Sequence, residues 1–386
     1  MSLKSIPFSS LGLSAPLLQA LSEHSYLDPS PVQQEAIPVV IAGKDLLALA
    51  PTGSGKTASF VLPILEILQH RPPLRNRYVW ALVLAPTREL AVQTEEVFKQ
   101  LASRMPHRPR TLAVYGGVSI HPQMIQTRGV EILVATPGRL LDLVSNNALH
   151  LSEVEILVLD EADKILHLGF KEELDRIFAL LPARRQNLLF SATLGEEVEA
   201  VMGKMLHAPV RVEIKGKSSP APDSITQLAY HVEPERKGPL LRYLIRRGEW
   251  LQVLVFVSSG RTADNVTEKL CKNGIDTMAF HGQKTQGART EALRRFKAGQ
   301  VRVLVATDLA GRGIDIQDLP AVINYELPRS PQDYVHRIGR TGRADAEGQA
   351  ISLVCPEDIH HFKVIQKKMG KRVPMIWTSK LDLHGH

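Results

Sequence analysis

Cysteine is almost absent from this chain: Cys271 and Cys355 are its only two in 386 residues. Two thiols so far apart exclude a disulfide scaffold and a cysteine-based zinc site, and they fit a reducing compartment. No stretch approaches the roughly 18 consecutive apolar residues of a membrane-spanning helix, and the N-terminus lacks a basic segment followed by an apolar one. The expectation is a soluble, cytoplasmic protein with no membrane partner. Long disorder is also excluded, because hydrophobic residues make up 44% and charged residues 23% of the chain.

The length corresponds to about two or three domains at roughly 100 to 200 residues each, and two is the working expectation. Lysine and arginine total 47 against 40 acidic residues, a net charge of +7 that is compatible with a polyanionic partner. The excess is not evenly spread. Residues 1–214 carry 20 basic and 22 acidic residues, a net of −2, whereas 215–386 carry 27 and 18, a net of +9.

Short runs rich in β-branched residues and leucine recur at Asp45 to Ala50, Trp80 to Ala85, Thr111 to Tyr115, Glu131 to Ala135, Ile156 to Leu159 and Asn187 to Phe190. Each predicts a buried parallel strand. Between them, Thr57 to Gln69, Arg88 to Ser103 and Lys171 to Leu180 place apolar residues at helical spacing. Strand and helix in alternation predict an α/β fold with open, parallel sheets flanked by helices. The segment 215–224, KGKSSPAPDS, has no periodicity and reads as a flexible linker. The expected domains are therefore 1–214 and 225–386. In the second, strands are expected at Ile225 to Val232, Gln252 to Val257, Ile275 to Phe280, Val301 to Ala306, Ala321 to Tyr325 and Ala350 to Val354. The sequence LVAT occurs both at 133–136 and at 304–307, a mild sign that the two domains are related.

Ala50 to Thr57 reads APTGSGKT between a predicted strand and a predicted helix. It has alanine where the common P-loop formula begins with glycine, yet keeps Gly53, Gly55, Lys56 and Thr57. Such a loop turns backbone N–H groups, here including those of Thr52 and Ser54, onto phosphate at a helix N-terminus. Lys56 would reach the outer phosphates and Thr57 would hold magnesium. Alone, the loop fits a kinase, a transporter ATPase or a motor. The strand ending at Leu159 delivers Asp160, Glu161, Ala162 and Asp163 to the carboxyl edge of the sheet. Asp160 has the position of a magnesium-holding carboxylate, and Glu161 that of a base for the attacking water. A helix dipole favours acidic residues there with or without such roles. Ser191 and Thr193, in SAT, follow the strand after that, where a simple helix cap would explain either one equally well.

With Gln33 in YLDPSPVQ, PTREL at 86–90, Gly116 and Gly117, TPGR at 136–139 and HRIGRTGR at 336–343, the ordered set of motifs resembles the DEAD-box RNA helicases over nearly the whole chain. Its spacing and N-terminal segment look most like the bacterial RhlE group. The resemblance implies two tandem RecA-like P-loop domains and an RNA-dependent ATPase that uses ATP and Mg2+. It assigns Gln33, with Asp28 and Phe8, to the adenine, since a side-chain amide offers the donor and acceptor that the adenine edge requires. It further assigns Arg340 and Arg343 to the phosphates as arginine fingers in cis, Gly313 and Asp315 to the ribose, and Ser191, Thr193, His336 and Arg337 to coupling between ATP and RNA. The RNA backbone is assigned to Pro86, Thr87, Arg88, Gly117, Thr136, Gly138 and Arg139 in the first domain, and to Gln286, Arg289 and Thr307 in the second. Contacts of this kind carry no base sequence. Aromatics are only 5% of the chain and none interleaves these motifs, so little base stacking is expected.

The chain departs from the family at Gly311, where alanine is usual, and at Ser258 and Ser259, where Asn-Thr is usual. Both changes leave charge and size nearly intact. Beyond Arg372 only a short segment remains, which puts the choice of RNA on a protein partner if it is made at all. The expectation is a monomer that pries apart short RNA duplexes or remodels RNA–protein complexes as its domains close. An ATP-gated RNA clamp with slow hydrolysis would use the same motifs, and a processive DNA helicase of the same superfamily is a further alternative. The charge split predicts that RNA is first captured mainly by the second domain.

Overall fold

The computed structural model describes residues 6–51, 53–69, 71, 76–214, 225–308, 316, 319–342, 348–379 and 381–383. The chain divides into two compact units, Met1–Lys217 and Ser218–His386. The expected linker 215–224 lies outside the described residues.

The first unit holds a seven-stranded sheet of β1 (Leu46–Leu49), β2 (Ala81–Leu84), β3 (Thr111–Val114), β4 (Ile132–Ala135), β5 (Ile156–Leu159), β6 (Gln186–Ser191) and β7 (Val210–Glu213). Their spatial order is β3-β4-β2-β5-β6-β1-β7, with every pairing parallel. Successive side chains of a strand point to opposite faces, so a strand covered on both sides must be apolar throughout. Ala81 and Val83 of β2 accordingly join one core and Leu82 and Leu84 the other. The first core is closed by Phe60 of the helix Lys56–Leu68, whose ring lies 6.4 Å from Phe98 and 5.2 Å from Phe190. Burial of side chains this large contributes about 3 kcal/mol each, which seats that helix firmly against the sheet.

The second unit repeats the design with β8 (Ile225–His231), β9 (Val253–Val257), β10 (Thr277–Phe280), β11 (Val303–Thr307), β12 (Ala321–Asn324), β13 (Gly348–Val354) and β14 (Met375–Trp377). Its order, β10-β11-β9-β12-β13-β8-β14, equals that of the first sheet with each index raised by seven. The two LVAT segments fall at the same place in the two sheets, closing β4 and β11. Chain repetition therefore has a structural counterpart. The expected strands are all present, while β7 and β14 are additions at one edge of each sheet. Both are half-exposed, so neither has the continuous apolar run that marks the other strands.

Candidate functional site

Because the first sheet is wholly parallel, its strands share one carboxyl edge, and six of the motif segments leave from it. In sheet order they are Gly116 and Gly117 after β3, Thr136 after β4, Pro86 after β2, Asp160 after β5, Ser191 closing β6, and Ala50 after β1. Backbone bonds carry the ladder into these segments, from Thr136 N to Val114 O (3.0 Å), Ala85 N to Ala135 O (2.9 Å), Asp160 N to Leu84 O (3.0 Å) and Ala50 N to Ser191 O (3.0 Å). With neighbouring strands about 4.8 Å apart, the edge has two halves. The phosphate loop, DEAD and SAT occupy β5, β6 and β1; PTREL, TPGR and the paired glycines occupy β3, β4 and β2.

The phosphate loop depends on its glycines. Gly53 and Gly55 have φ of 77° and 93°, in the left-handed region that glycine alone enters freely. A Cβ on Gly55 would also stand 2.6 Å from Gln33 Nε2 and 2.7 Å from Ser30 Oγ. Lys56, the first residue of its helix, is buried and donates from Nζ to the carbonyls of Ala50 (2.7 Å) and Pro51 (3.3 Å). Burial lowers its pKa, and the carboxylates of Asp160 and Glu161 act against that. Thr57 follows on the helix, and Ser54 Oγ donates to Pro51 O at 2.8 Å. Thr52 lies outside the described residues.

Gln33 is buried on the helix Pro31–Ile41, where a capping box with Ser30 fixes it. Its Oε1 accepts from Ser30 N at 2.8 Å and its Nε2 donates to Gly55 O at 3.1 Å. One lone pair and one N–H are left over. The amide thus ties the adenine-reading segment to the phosphate loop. Phe8 is buried in a short 3-10 turn, Phe8–Ser10, and Asp28 is exposed just before the Gln33 helix.

The acidic cluster sits where β5 ends. Asp160 is 2% exposed, and burial together with the neighbouring Glu161 pushes its carboxyl up to about 7. Glu161 has φ 51°, a left-handed conformation that costs a non-glycine residue roughly 1–2 kcal/mol. Its Oε1 is held by Lys164 Nζ at 2.6 Å, and Thr193 Oγ1 donates to Asp163 Oδ2 at 3.2 Å. Ser191 Oγ in turn donates to Thr193 O at 2.7 Å. That leaves Asp160 Oδ1, Glu161 Oε2 and Asp163 Oδ1 buried without a hydrogen-bond partner. Unsatisfied buried oxygens are costly, and three in one place fit a cationic or proton-donating ligand. Among the described residues no cluster of three or more His, Cys, Asp or Glu could cage a metal by itself. Magnesium suits such a site, since it takes one or two protein oxygens and fills the rest with phosphates and water.

In the other half, Thr87 caps the helix Arg88–Leu101 through Leu90 N at 3.3 Å. The guanidinium of Arg88 lies on Gly117, whose φ is 78° and where a Cβ would be 2.6 Å from Nη1. Thr136 precedes the helix Pro137–Ser145, and space beside Gly138 is open, which permits close backbone approach. Arg139 is 7% exposed and donates from Nη2 to Val118 O at 2.7 Å, joining this helix to the paired-glycine loop.

In the second unit, Thr307 closes β11 and Arg289, 4% exposed, lies 5.1 Å over the Phe280 ring. Gln286 opens the same helix, Gln286–Lys297. Arg337 is 2% exposed and binds Asp308 with two bonds, Nε to Oδ1 at 2.6 Å and Nη2 to Oδ2 at 2.7 Å. Its Nη1 also donates to Asn324 Oδ1 (3.0 Å) and Glu326 O (2.6 Å). It thereby fastens the helix Pro331–Ile338 to the ends of β11 and β12. His336 and Arg340 are half-buried at the end of that helix. Arg343, Gly313 and Asp315, with the variant Gly311, lie outside the described residues. Sequence reasoning missed Lys164 and Asp308, the partners of Glu161 and Arg337. The three-residue spacing of Lys164 from Glu161 was the available signal; nothing local marked Asp308.

The DEAD/DEAH box helicase family matches residues 30–201, and the helicase conserved C-terminal domain matches 236–345. The ATP-dependent RNA helicase CshA of Listeria monocytogenes is 38% identical, over 97% of this chain and 71% of that protein. The DEAD-box ATP-dependent RNA helicase RhpA of Helicobacter pylori is 37% identical, over 95% of this chain and 73% of its own length. Among solved structures, Saccharomyces cerevisiae Dbp5 bound to RNA and ADP BeF3 superposes with a TM-score of 0.84 at 30% identity, covering 97% of this chain and 96% of that one. Motifs, sheet order and relatives of this similarity agree: the chain belongs to the DEAD-box family of ATP-dependent RNA helicases.

Proposed function

We propose that this helicase opens short RNA duplexes locally, by closing its two units on ATP and on one RNA strand, and that hydrolysis resets it. The observation that supports the reading is that the phosphate loop, DEAD and SAT leave β1, β5 and β6 while PTREL, TPGR and the paired glycines leave β2, β3 and β4, the two groups meeting between β5 and β2. Gln33 reads adenine with its spare N–H and lone pair, beside Phe8 and Asp28. Lys56 leaves the carbonyls of Ala50 and Pro51 for the outer phosphates, with Thr52, Gly53, Ser54 and Gly55 supplying backbone donors. Thr57 and Asp160 hold Mg2+, which would draw negative charge away from the phosphate oxygens. Glu161, its Oε1 fixed by Lys164, uses Oε2 to take the proton of the attacking water. Arg340 and Arg343 supply positive charge as the phosphate bond breaks, and Gly313 and Asp315 meet the ribose.

RNA is held along its backbone by Pro86, Thr87, Arg88, Gly117, Thr136, Gly138 and Arg139, and by Gln286, Arg289 and Thr307. Ser191, Thr193, His336 and Arg337 link the two ligands. Arg337 does so by fixing the helix that carries His336 and leads into Arg340. We assign the chain to the RhlE group on its motif spacing and N-terminal segment, as a cytoplasmic monomer whose natural RNA is chosen with a protein partner. The test is Glu161→Gln. It should retain binding of ATP and RNA and lose RNA-stimulated turnover by about 10²-fold or more. Full turnover in this variant would remove Glu161 from the role of base.

A further inference from the structure

The basic excess of the second unit does not sit mainly in its motifs. Residues 359–381 contain six basic and no acidic residues, and setting them aside leaves 21 basic against 18 acidic in the rest of 215–386. This stretch forms the helix Ile359–Met369 and the edge strand β14. The helix buries Phe362, Ile365 and Met369 and turns Lys363, Lys367 and Lys368 to solvent, with Arg372 exposed beyond them. Three other exposed helices pair a cation within a turn, Lys99 with Glu95 (2.6 Å), Lys272 with Glu268 (2.6 Å) and Arg294 with Glu291 (2.7 Å). The helix Ile359–Met369, like the helix Lys237–Arg247, contains no carboxylate, so its like charges repel one another by a few tenths of a kcal/mol per pair.

The strand β14 packs through Met375 on the same core as Phe362, Ile365 and Met369 of that helix, and it carries an exposed aromatic side chain. Trp377, 63% exposed, has its ring 4.2 Å from that of His231 at 32°. Its place is fixed by the pairing of Trp377 with His231 in β14 and β8 and by Thr378, whose N donates to His231 O at 3.2 Å. Cationic side chains and an exposed ring on elements that share one core are the combination that binds single strands irrespective of sequence, through phosphate charge and base stacking. The helix also packs against the one carrying His336, through Tyr334 and Phe362 with ring centroids 6.1 Å apart.

We propose that Lys363, Lys367, Lys368, Arg372 and Trp377 form a second single-stranded RNA contact, outside the family motifs, that holds the strand beyond the core site. The proposal rests on the RNA-helicase assignment and adds stacking that the motifs themselves lack.

The test compares RNA oligonucleotides of about 8 and about 24 nucleotides, the shorter one filling a single site. Anisotropy is measured across salt for wild type, for Lys363→Ala with Lys367→Ala and Lys368→Ala, and for Trp377→Phe and Trp377→Ala. All four positions are exposed, and alanine favours a helix. The triple variant should bind the long RNA about tenfold more weakly, with a salt slope lower by about 2, since each phosphate contact on a single strand contributes about 0.7. Trp377→Ala should lose roughly fivefold or more, and Trp377→Phe should abolish the fluorescence quenching that long RNA causes in wild type. Binding of the short RNA, and its stimulation of ATP turnover, should be unchanged in every variant. Unchanged affinity and slope with the long RNA would overturn the proposal. So would competition by polyglutamate as effective as that by RNA of equal charge, which would identify an acidic-peptide surface. Failure of the short RNA to stimulate wild type would instead count against the assignment beneath it.

Discussion

Removing Arg337 should unfold the second unit more readily than its exposed neighbours would suggest. Its guanidinium makes four hydrogen bonds, two of them to the carboxylate of Asp308, while it is 2% exposed. Truncation to alanine strands Asp308 Oδ1 and Oδ2, Asn324 Oδ1 and Glu326 O. Breaking one side of a buried pair costs about 3–5 kcal/mol. The Asp308 side chain is 25% exposed and can recover water, which places Arg337→Ala near the lower figure. Asp308→Ala leaves the cation buried and should cost at least as much. Removing both should cost less than the sum, by about 2 kcal/mol, because the second loss leaves nothing further unpaired. Urea unfolding in a Trp80→Phe background reads the second unit alone, since the remaining tryptophans, Trp250 and Trp377, both belong to it. At about 1–3 kcal/mol per molar urea, the midpoint should fall by roughly 2 M. A shift below about 0.5 M, or strictly additive losses, would show that Arg337 is not the fastening inferred from its contacts.

Two further outcomes follow from the first unit. Gly55→Ala places a methyl group 2.6 Å from Gln33 Nε2 at φ 93°, so it should cost about 1–3 kcal/mol and abolish ATP binding, as read by calorimetry. Asp160→Asn should stabilise the nucleotide-free protein. A carboxyl pushed up to about 7 adds most stability while protonated below pH 4, and that contribution is lost as pH rises through 7. In EDTA the variant should therefore exceed wild type by about 2–4 kcal/mol at pH 8 and by less at pH 5, while ATP turnover disappears. An equal or lower urea midpoint at pH 8 would contradict this.

Much of the site is legible in the sequence because its chemistry is local. A glycine loop between strand and helix, or carboxylates after a buried strand, announces itself within ten residues. What escapes is set by contacts distant along the chain. Arg337 belongs to a run that resembles phosphate-binding arginines, yet its side chain is spent on Asp308, Asn324 and Glu326. Arg139 likewise reaches back to Val118. The edge strands β7 and β14 escape for another reason. With one side open to solvent they need no continuous apolar run, and only pairing with β1 and β8 defines them. Net charge does not say where its excess lies: six cations and no carboxylate of residues 215–386 fall in 359–381, outside the motifs.

The central claim is that ATP turnover depends on RNA. Steady-state ATP hydrolysis by the full chain should be measured without nucleic acid, with single-stranded RNA and with DNA of the same sequence, over a series of salt concentrations. Strong stimulation by RNA, weak stimulation by DNA, and a decline with salt at about 0.7 per phosphate contact are the predicted result. Turnover that is independent of RNA, or raised equally by DNA, would contradict it.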